Sequence, residues 1–235
     1  MQNNVVGIIT FHCSDNYGAM LQAYGLKTYL RSQGILADIV PYEPFFLIGR
    51  NWLVPYAPVG NLYRSLRYSC WGMSSHIKMG RDFFRQKYNM KCFREKYLVE
   101  KRRRKLRWPG QMRRLCYQYY IVGSDQIWND LITKGDPLYF GAKSTARKIS
   151  YAASMGTIKC SDIQKKLVAE FLPDFYKLSV REPESQTIID NEIHRWPELV
   201  CDPVFLKSVE EWRQIEKPVK TPEKYMMLYM LENNR

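Results

Sequence analysis

The sequence predicts an α/β fold: a Rossmann-like parallel sheet carrying a basic helical insertion. Three observations predict it. Val5-Val6-Gly7-Ile8-Ile9-Thr10-Phe11 is a short, β-branched run that is apolar on both faces, the pattern of a buried parallel strand. Ala19, Ala23, Leu26 and Leu30 then recur at helical spacing, and Ala37-Asp38-Ile39-Val40 forms a second apolar run before Pro41. Strand, helix and strand within about 40 residues make a βαβ unit, whose crossover is right-handed in a parallel sheet. The third observation is where the charge lies. The net charge is +13, yet residues 60–118 hold 17 Lys/Arg against 3 Asp/Glu, so the excess belongs to one segment.

The elements follow in order. A polar loop, His12 to Gly18, leads to a helix over 19–33, with Asn16 placed to cap it and Gly34 to end it. Residues 42–118 are aromatic, basic and without strand signals, with helical stretches near 61–69 and 76–98 and a turn at Pro109-Gly110. The sheet resumes at Tyr119–Val122 and again at Ile149–Ala153. Ser161-Asp162-Ile163-Gln164 is a capping box, opening a helix with Ile163, Leu167 and Phe171 on one face until Pro173. A strand over 177–180, a helix over 184–190, a strand over 199–201 and a second capping box at Ser208 follow. Tyr225-Met226-Met227-Leu228-Tyr229-Met230-Leu231 reads as a further central strand with no crossover helix after it. The expected organisation is a Rossmann-like domain over 1–218, with its insertion at 42–118, and the start of a second, truncated domain over 219–235.

Composition narrows the class. An apolar fraction of 46% and a charged fraction of 25% suit a folded chain and exclude wholesale disorder. No run reaches the roughly 18 apolar residues of a membrane span, and the first strand is too short for a signal-peptide core. The cysteines at 13, 70, 92, 116, 160 and 201 form no CxxC pair and no zinc-spaced cluster, so reduced thiols and a cytoplasmic location are expected, with no metal site. The basic segment has three readings: solvated helices covering the sheet, a surface for anionic membrane, or a nucleic-acid site.

In open parallel sheets, ligands bind beyond the carboxyl ends of the strands. Here those ends carry Asp15, Asn16 and Gly18, then Gly123, Ser124, Asp125 and Gln126, then Ser154 to Gly156, then Arg181 and Glu182. A cleft lined by these four loops follows from topology. No G-x-G-x-x-G loop, phosphate-binding G-x-x-x-x-G-K-[ST] loop or G-x-S-x-G elbow is present. Adjacent His12 and Cys13 would point to opposite sides of a strand and make a poor dyad. Asn16 reads as a helix cap, a ligand contact or both. Gly18 suits a close helix–strand approach. Asp125 suits a cap for a helix from Ile127, with Trp128 in the core. Arg181 suits either an anion ligand or an ion pair with an acidic neighbour.

Taken together, the loops resemble the polysaccharide pyruvyl transferase family. The blocks are Gly7–Phe11 with Asn16–Tyr24, Tyr120–Asn129, Ile149–Gly156, Ser179–Glu182, and Cys201–Leu206 with Trp212, in the family's order. The resemblance implies the N-terminal half of a GT-B-like two-domain fold. It implies transfer of a pyruvyl group from phosphoenolpyruvate, a co-substrate and not a cofactor, to two hydroxyls of a sugar as a ketal. Arg181 matches the family's Arg and is expected to bind the donor. Asp15, Asn16, Gly18, Gly123, Ser124, Asp125, Gln126, Ser154 and Glu182 are expected to line the cleft toward the acceptor, a sugar or lipid-linked oligosaccharide. The family's catalytic His is expected beyond residue 235, since His12, His76 and His194 do not match its position; transfer by this polypeptide alone is therefore not expected. A lipid-linked acceptor gives the basic segment a role at the inner face of the plasma membrane. The alternatives are a non-catalytic acceptor-binding module and a nucleic-acid binder through 60–118, the latter opposed by the family blocks.

Overall fold

A computed structural model describes residues 5–48, 62–99, 104–218 and 220–228. Five parallel strands form the main sheet in the order β2-β1-β3-β4-β5: β1 (Val5–Ile9), β2 (Leu36–Ile39), β3 (Tyr119–Val122), β4 (Arg147–Ser150) and β5 (Phe175–Lys177). A second parallel pair, β6 (Ser179–Val180) with β7 (Glu198–Leu199), joins its end through a bridge from Ala153 to Val180. The α/β class and the parallel sheet are as the sequence predicts.

Both faces of the sheet are covered, which is why its central strands β1 and β3 read as continuous apolar runs. Val6, Ile8 and Ile121 pack with Met20, Ala23 and Leu26 of α1 (Tyr17–Ser32). Ile9, Tyr120 and Val122 face the other way, toward Trp128, Phe140, Val168 and Phe175. Trp128 is fully buried, stacks at 5.9 Å on Phe140, and donates its indole N–H to the Tyr139 carbonyl at 3.1 Å. That settles its place in the core.

Chain chemistry sets the helix ends. Asn16 accepts from the Ala19 N–H at 3.0 Å, and the Ser161–Gln164 and Ser208–Glu211 capping boxes open α6 (Asp162–Phe171) and α8 (Val209–Arg213). A short α2 (Phe45–Ile48) follows β2, and α5 (Asp130–Thr133) and α7 (Pro183–Ile193) complete the set with the insertion helices.

Several sequence expectations are corrected. β1 stops at Ile9, because the chain turns at Thr10, whose carbonyl accepts from the His12 N–H. The insertion helices are α3 (Leu62–Met79) and α4 (Arg81–Phe93), broken at Gly80 with φ +51° and continued by a π turn at Arg94–Leu98. The insertion returns to the sheet through a bridge between Tyr42 and Leu106. Ile163 is 57% exposed; the buried face of α6 is Gln164, Leu167 and Val168, since Gln164 reaches the Trp128 and Met155 carbonyls. The strand expected over 177–180 is divided at Leu178, and the one expected over 199–201 is Glu198–Leu199. Residues 225–228 are irregular and exposed, Met226 by 94%; Tyr229–Leu231 lie outside the described residues, as do Lys101–Arg103 of the basic run.

The close helix approach expected at Gly18 occurs at Gly25 instead. A Cβ on Gly25 would stand 2.7 Å from the Pro203 carbonyl oxygen, whereas one on Gly18 would meet only the Asn16 side chain at 3.3 Å. Gly25→Ala should therefore push α1 off the 203–206 turn and lower stability by about 1–3 kcal/mol in urea unfolding. Gly18→Ala should leave stability nearly unchanged.

Candidate functional site

The strand order places a topological switch point between β1 and β3, where a ligand crevice is expected in a sheet of this order. A cleft of about 280 Å³ lies there, lined by Phe11, Ser14, Asn16, Asp125, Gln126 and Ile132 among others. The first loop comes off β1 and the second off β3, so the lining is assembled across some hundred residues of chain.

Gly123 and Asp125 shape the second loop. Gly123 has φ +125°, and a Cβ there would stand 2.2 Å from the Tyr151 carbonyl oxygen. Asp125 holds φ +75°, uncommon for a residue with a side chain and typical of functional loops. It does not cap a helix: its carboxylate accepts from the Gln126 N–H at 2.8 Å, and Asn129 caps α5 instead. Burial holds Asp125 above the ordinary carboxylate range; Asp202 and Glu182 act in the same direction, while the Gln126 N–H and Arg181 oppose it.

Beside Asp125 lies an ion cluster. Arg181 donates to Glu182 at 2.9 Å and to Asp202 at 3.0 Å, realising the ion-pair reading that the sequence left open. The Ser124 hydroxyl sits 3.1 Å from Asp202 and 2.9 Å from the Ala152 carbonyl. With Asp125, three carboxylates gather around one guanidinium.

The other expected residues are distributed differently. Asp15 turns to the insertion, accepting from Arg94 at 2.7 Å, while Arg94 also donates to the His12 carbonyl at 3.1 Å. Ser154 is fully buried, its hydroxyl accepting from the Gly156 N–H. Gly18 lies in the first turn of α1, beyond the Asn16 cap. Among the described residues, no three His, Cys, Asp or Glu side chains converge to hold a metal.

Two contributors escaped sequence reasoning. Gln22 is buried on the apolar face of α1; its amide oxygen accepts from the Ser124 N–H at 3.2 Å, and its NH2 donates to Thr10 and to the Ala19 carbonyl. A polar residue on that face was the available signal. Asp202 was visible only as part of a block, with no hint that it meets Ser124 and Arg181.

The family model for polysaccharide pyruvyl transferase matches residues 16–235, from the α1 cap onward. The chain belongs to the polysaccharide pyruvyl transferase family. No curated protein and no solved structure matches it. For a pyruvyl transferase family member, the match takes in Asn16 at the end of the first cleft loop, the whole second loop and the Arg181 cluster, and the family implies a sugar acceptor.

His12 opens the first loop and is fully buried. Burial, opposed by its bond to the Thr10 carbonyl and aided by Arg94 and Lys105, lowers its pKa to about 3 from 6.5. The folded state leaves it neutral where the unfolded chain takes up a proton. Stability should then fall as pH drops from 6.5 toward 3, by roughly 1.4 kcal/mol per unit. Urea unfolding at several pH values should show this slope, and His12→Phe should remove it. Arg94→Ala should strand the largely buried Asp15 carboxylate and cost about 1–3 kcal/mol, read in the same assay.

Proposed function

We propose that this chain serves the transfer of the pyruvyl group of phosphoenolpyruvate to two hydroxyls of a sugar, and that the β1–β3 cleft receives that sugar. The observation that carries the reading is the cleft's lining. Ser14, Asn16, Gln126 and Asp125 are a hydroxyl, two amides and a carboxylate, and sugar hydroxyls both donate to and accept from such groups.

The reaction sets definite demands. One sugar oxygen adds to C2 of the donor while a proton adds to C3; the second oxygen then displaces phosphate. Of the two hydroxyl protons, one ends on the new methyl group and the other on phosphate. Asp125, kept basic by burial, is suited to take a hydroxyl proton in the cleft. His12 is unsuited to act as the acid, because burial keeps it neutral. Arg181 is the cation whose charge acts on Asp125, and it would take the donor's carboxylate or phosphate by exchanging Glu182 or Asp202 for it. The surplus of carboxylates there favours the acceptor as this cleft's main occupant. It also supports the second reading, an acceptor-binding module without turnover.

The basic insertion is assigned to the anionic inner face of the plasma membrane. Its exposed apolar side chains include Leu66, Met73, Ile77 and Phe84, between cations such as Arg67, Arg81 and Arg85. Aliphatic Leu66, Met73 and Ile77 enter a lipid interface but give nucleic-acid bases nothing to stack on, whereas the exposed aromatics Tyr63, Phe84 and Tyr88 suit either surface. No helix of the described residues is long and apolar enough to cross a membrane.

Phosphate release from phosphoenolpyruvate should require a sugar acceptor. In a preparation that releases phosphate, Asp125→Asn should lower turnover at least about 100-fold with donor affinity retained. Arg181→Ala should weaken phosphoenolpyruvate binding about tenfold by calorimetry. Acceptor binding without phosphate release would select the module reading; binding of neither ligand would overturn both.

A further inference from the structure

A second and larger cavity, about 780 Å³, lies between α1, α4 and α8, in the size range of ligand pockets. Met20, Leu21, Met90, Phe93, Trp212 and Ile215 line it. Tyr24 holds three of its rings in place, meeting Phe93, Tyr97 and Trp212 at centroid distances of 6.0, 5.4 and 5.6 Å. The aliphatic part of the lining has no donors or acceptors, so sugar hydroxyls buried against it would lose hydrogen bonds to water without replacement, although Tyr17, Tyr88, Asn89 and Tyr97 add polar groups elsewhere in the lining. The charged lining is different: Lys96, Arg213 and Lys217 stand against one acid, Glu216. An apolar channel with a cationic rim complements an amphiphile with an anionic head.

The cavity is also continuous with the insertion. α4 exposes Phe84 by 60% and Tyr88 by 68%, and Tyr88 itself lines the cavity, as do Asn89, Met90 and Phe93 farther along the same helix. One helix thus runs from the basic apolar surface into the groove.

We propose that this groove takes an acyl chain of an anionic membrane phospholipid, with Lys96, Arg213 and Lys217 at its headgroup. The inference deepens the proposed membrane contact, and the two fail differently. Surface adsorption needs only the insertion's charges, whereas groove occupancy brings a lipid chain against Trp212.

The full chain is mixed with phosphatidylcholine vesicles, with and without phosphatidylglycerol carrying brominated acyl chains, which quench indoles on contact. The groove predicts binding to the phosphatidylglycerol vesicles and quenching of a fluorescence component that Trp212→Phe removes. Lys96→Glu, Arg213→Glu and Lys217→Glu together should weaken binding roughly 100-fold. Leu21→Trp, which fills the groove, should abolish the Trp212 quenching with vesicle binding retained. Binding without Trp212 quenching would overturn the groove and keep surface adsorption. Absence of binding would overturn both. Dimerisation relieved by Leu21→Trp, without lipid quenching, would give the groove to a second copy and also overturn the proposal.

Discussion

The pairing of β1 with β3 closes the chain over the whole basic insertion and sets two polar strand ends side by side. Val6 to Ile9 register against Tyr119 to Val122, so His12–Asn16 and Gly123–Gln126 leave the sheet as neighbours. The cleft, the strained Asp125 and the ion cluster around Arg181 all depend on that register. Gln22 reinforces it, spanning from α1 to Thr10 and the Ser124 amide, so that one buried amide ties helix, first loop and second loop together.

The insertion is more than an appendage. Lys27 of α1 donates to the Leu98 and Tyr97 carbonyls at 2.7 and 3.0 Å, and Arg94 reaches the first cleft loop through Asp15 and His12. Farther along, Glu43 is buried and paired with Lys105 and Arg107, fastening the returning segment to the sheet edge. Cations that a sequence counts as surface charge are thus divided. Some anchor the insertion, and others, on α3 and α4, stay in solvent beside exposed apolar side chains.

The electrostatics of the cleft favour a neutral ligand. Arg181 is matched by Glu182 and Asp202, and Asp125 adds a third, partly buried carboxylate. In the proposed reaction, a phosphate-bearing donor entering here would have to replace an existing carboxylate, while a sugar would need only the amides, the hydroxyl and Asp125. The acceptor role proposed for this cleft rests on that local chemistry.

The sequence by itself determined the α/β class, the caps at Asn16, Ser161 and Ser208, the core place of Trp128, and the loops in which Asn16, Asp125 and Gln126 sit. These are local: apolar period, capping chemistry and chain direction are written in consecutive residues. Only the tertiary structure decided which loop residues meet. Asp15 and Ser154 looked equivalent to Asn16 and Asp125, yet one turned to Arg94 and the other into a buried turn. The tight glycine proved to be Gly25 because Pro203, far away in sequence, packs on it. Arg181 became one centre of an ion cluster because Asp202 arrives from beyond α7. Partners remote along the chain decide orientation, and periodicity carries no record of them.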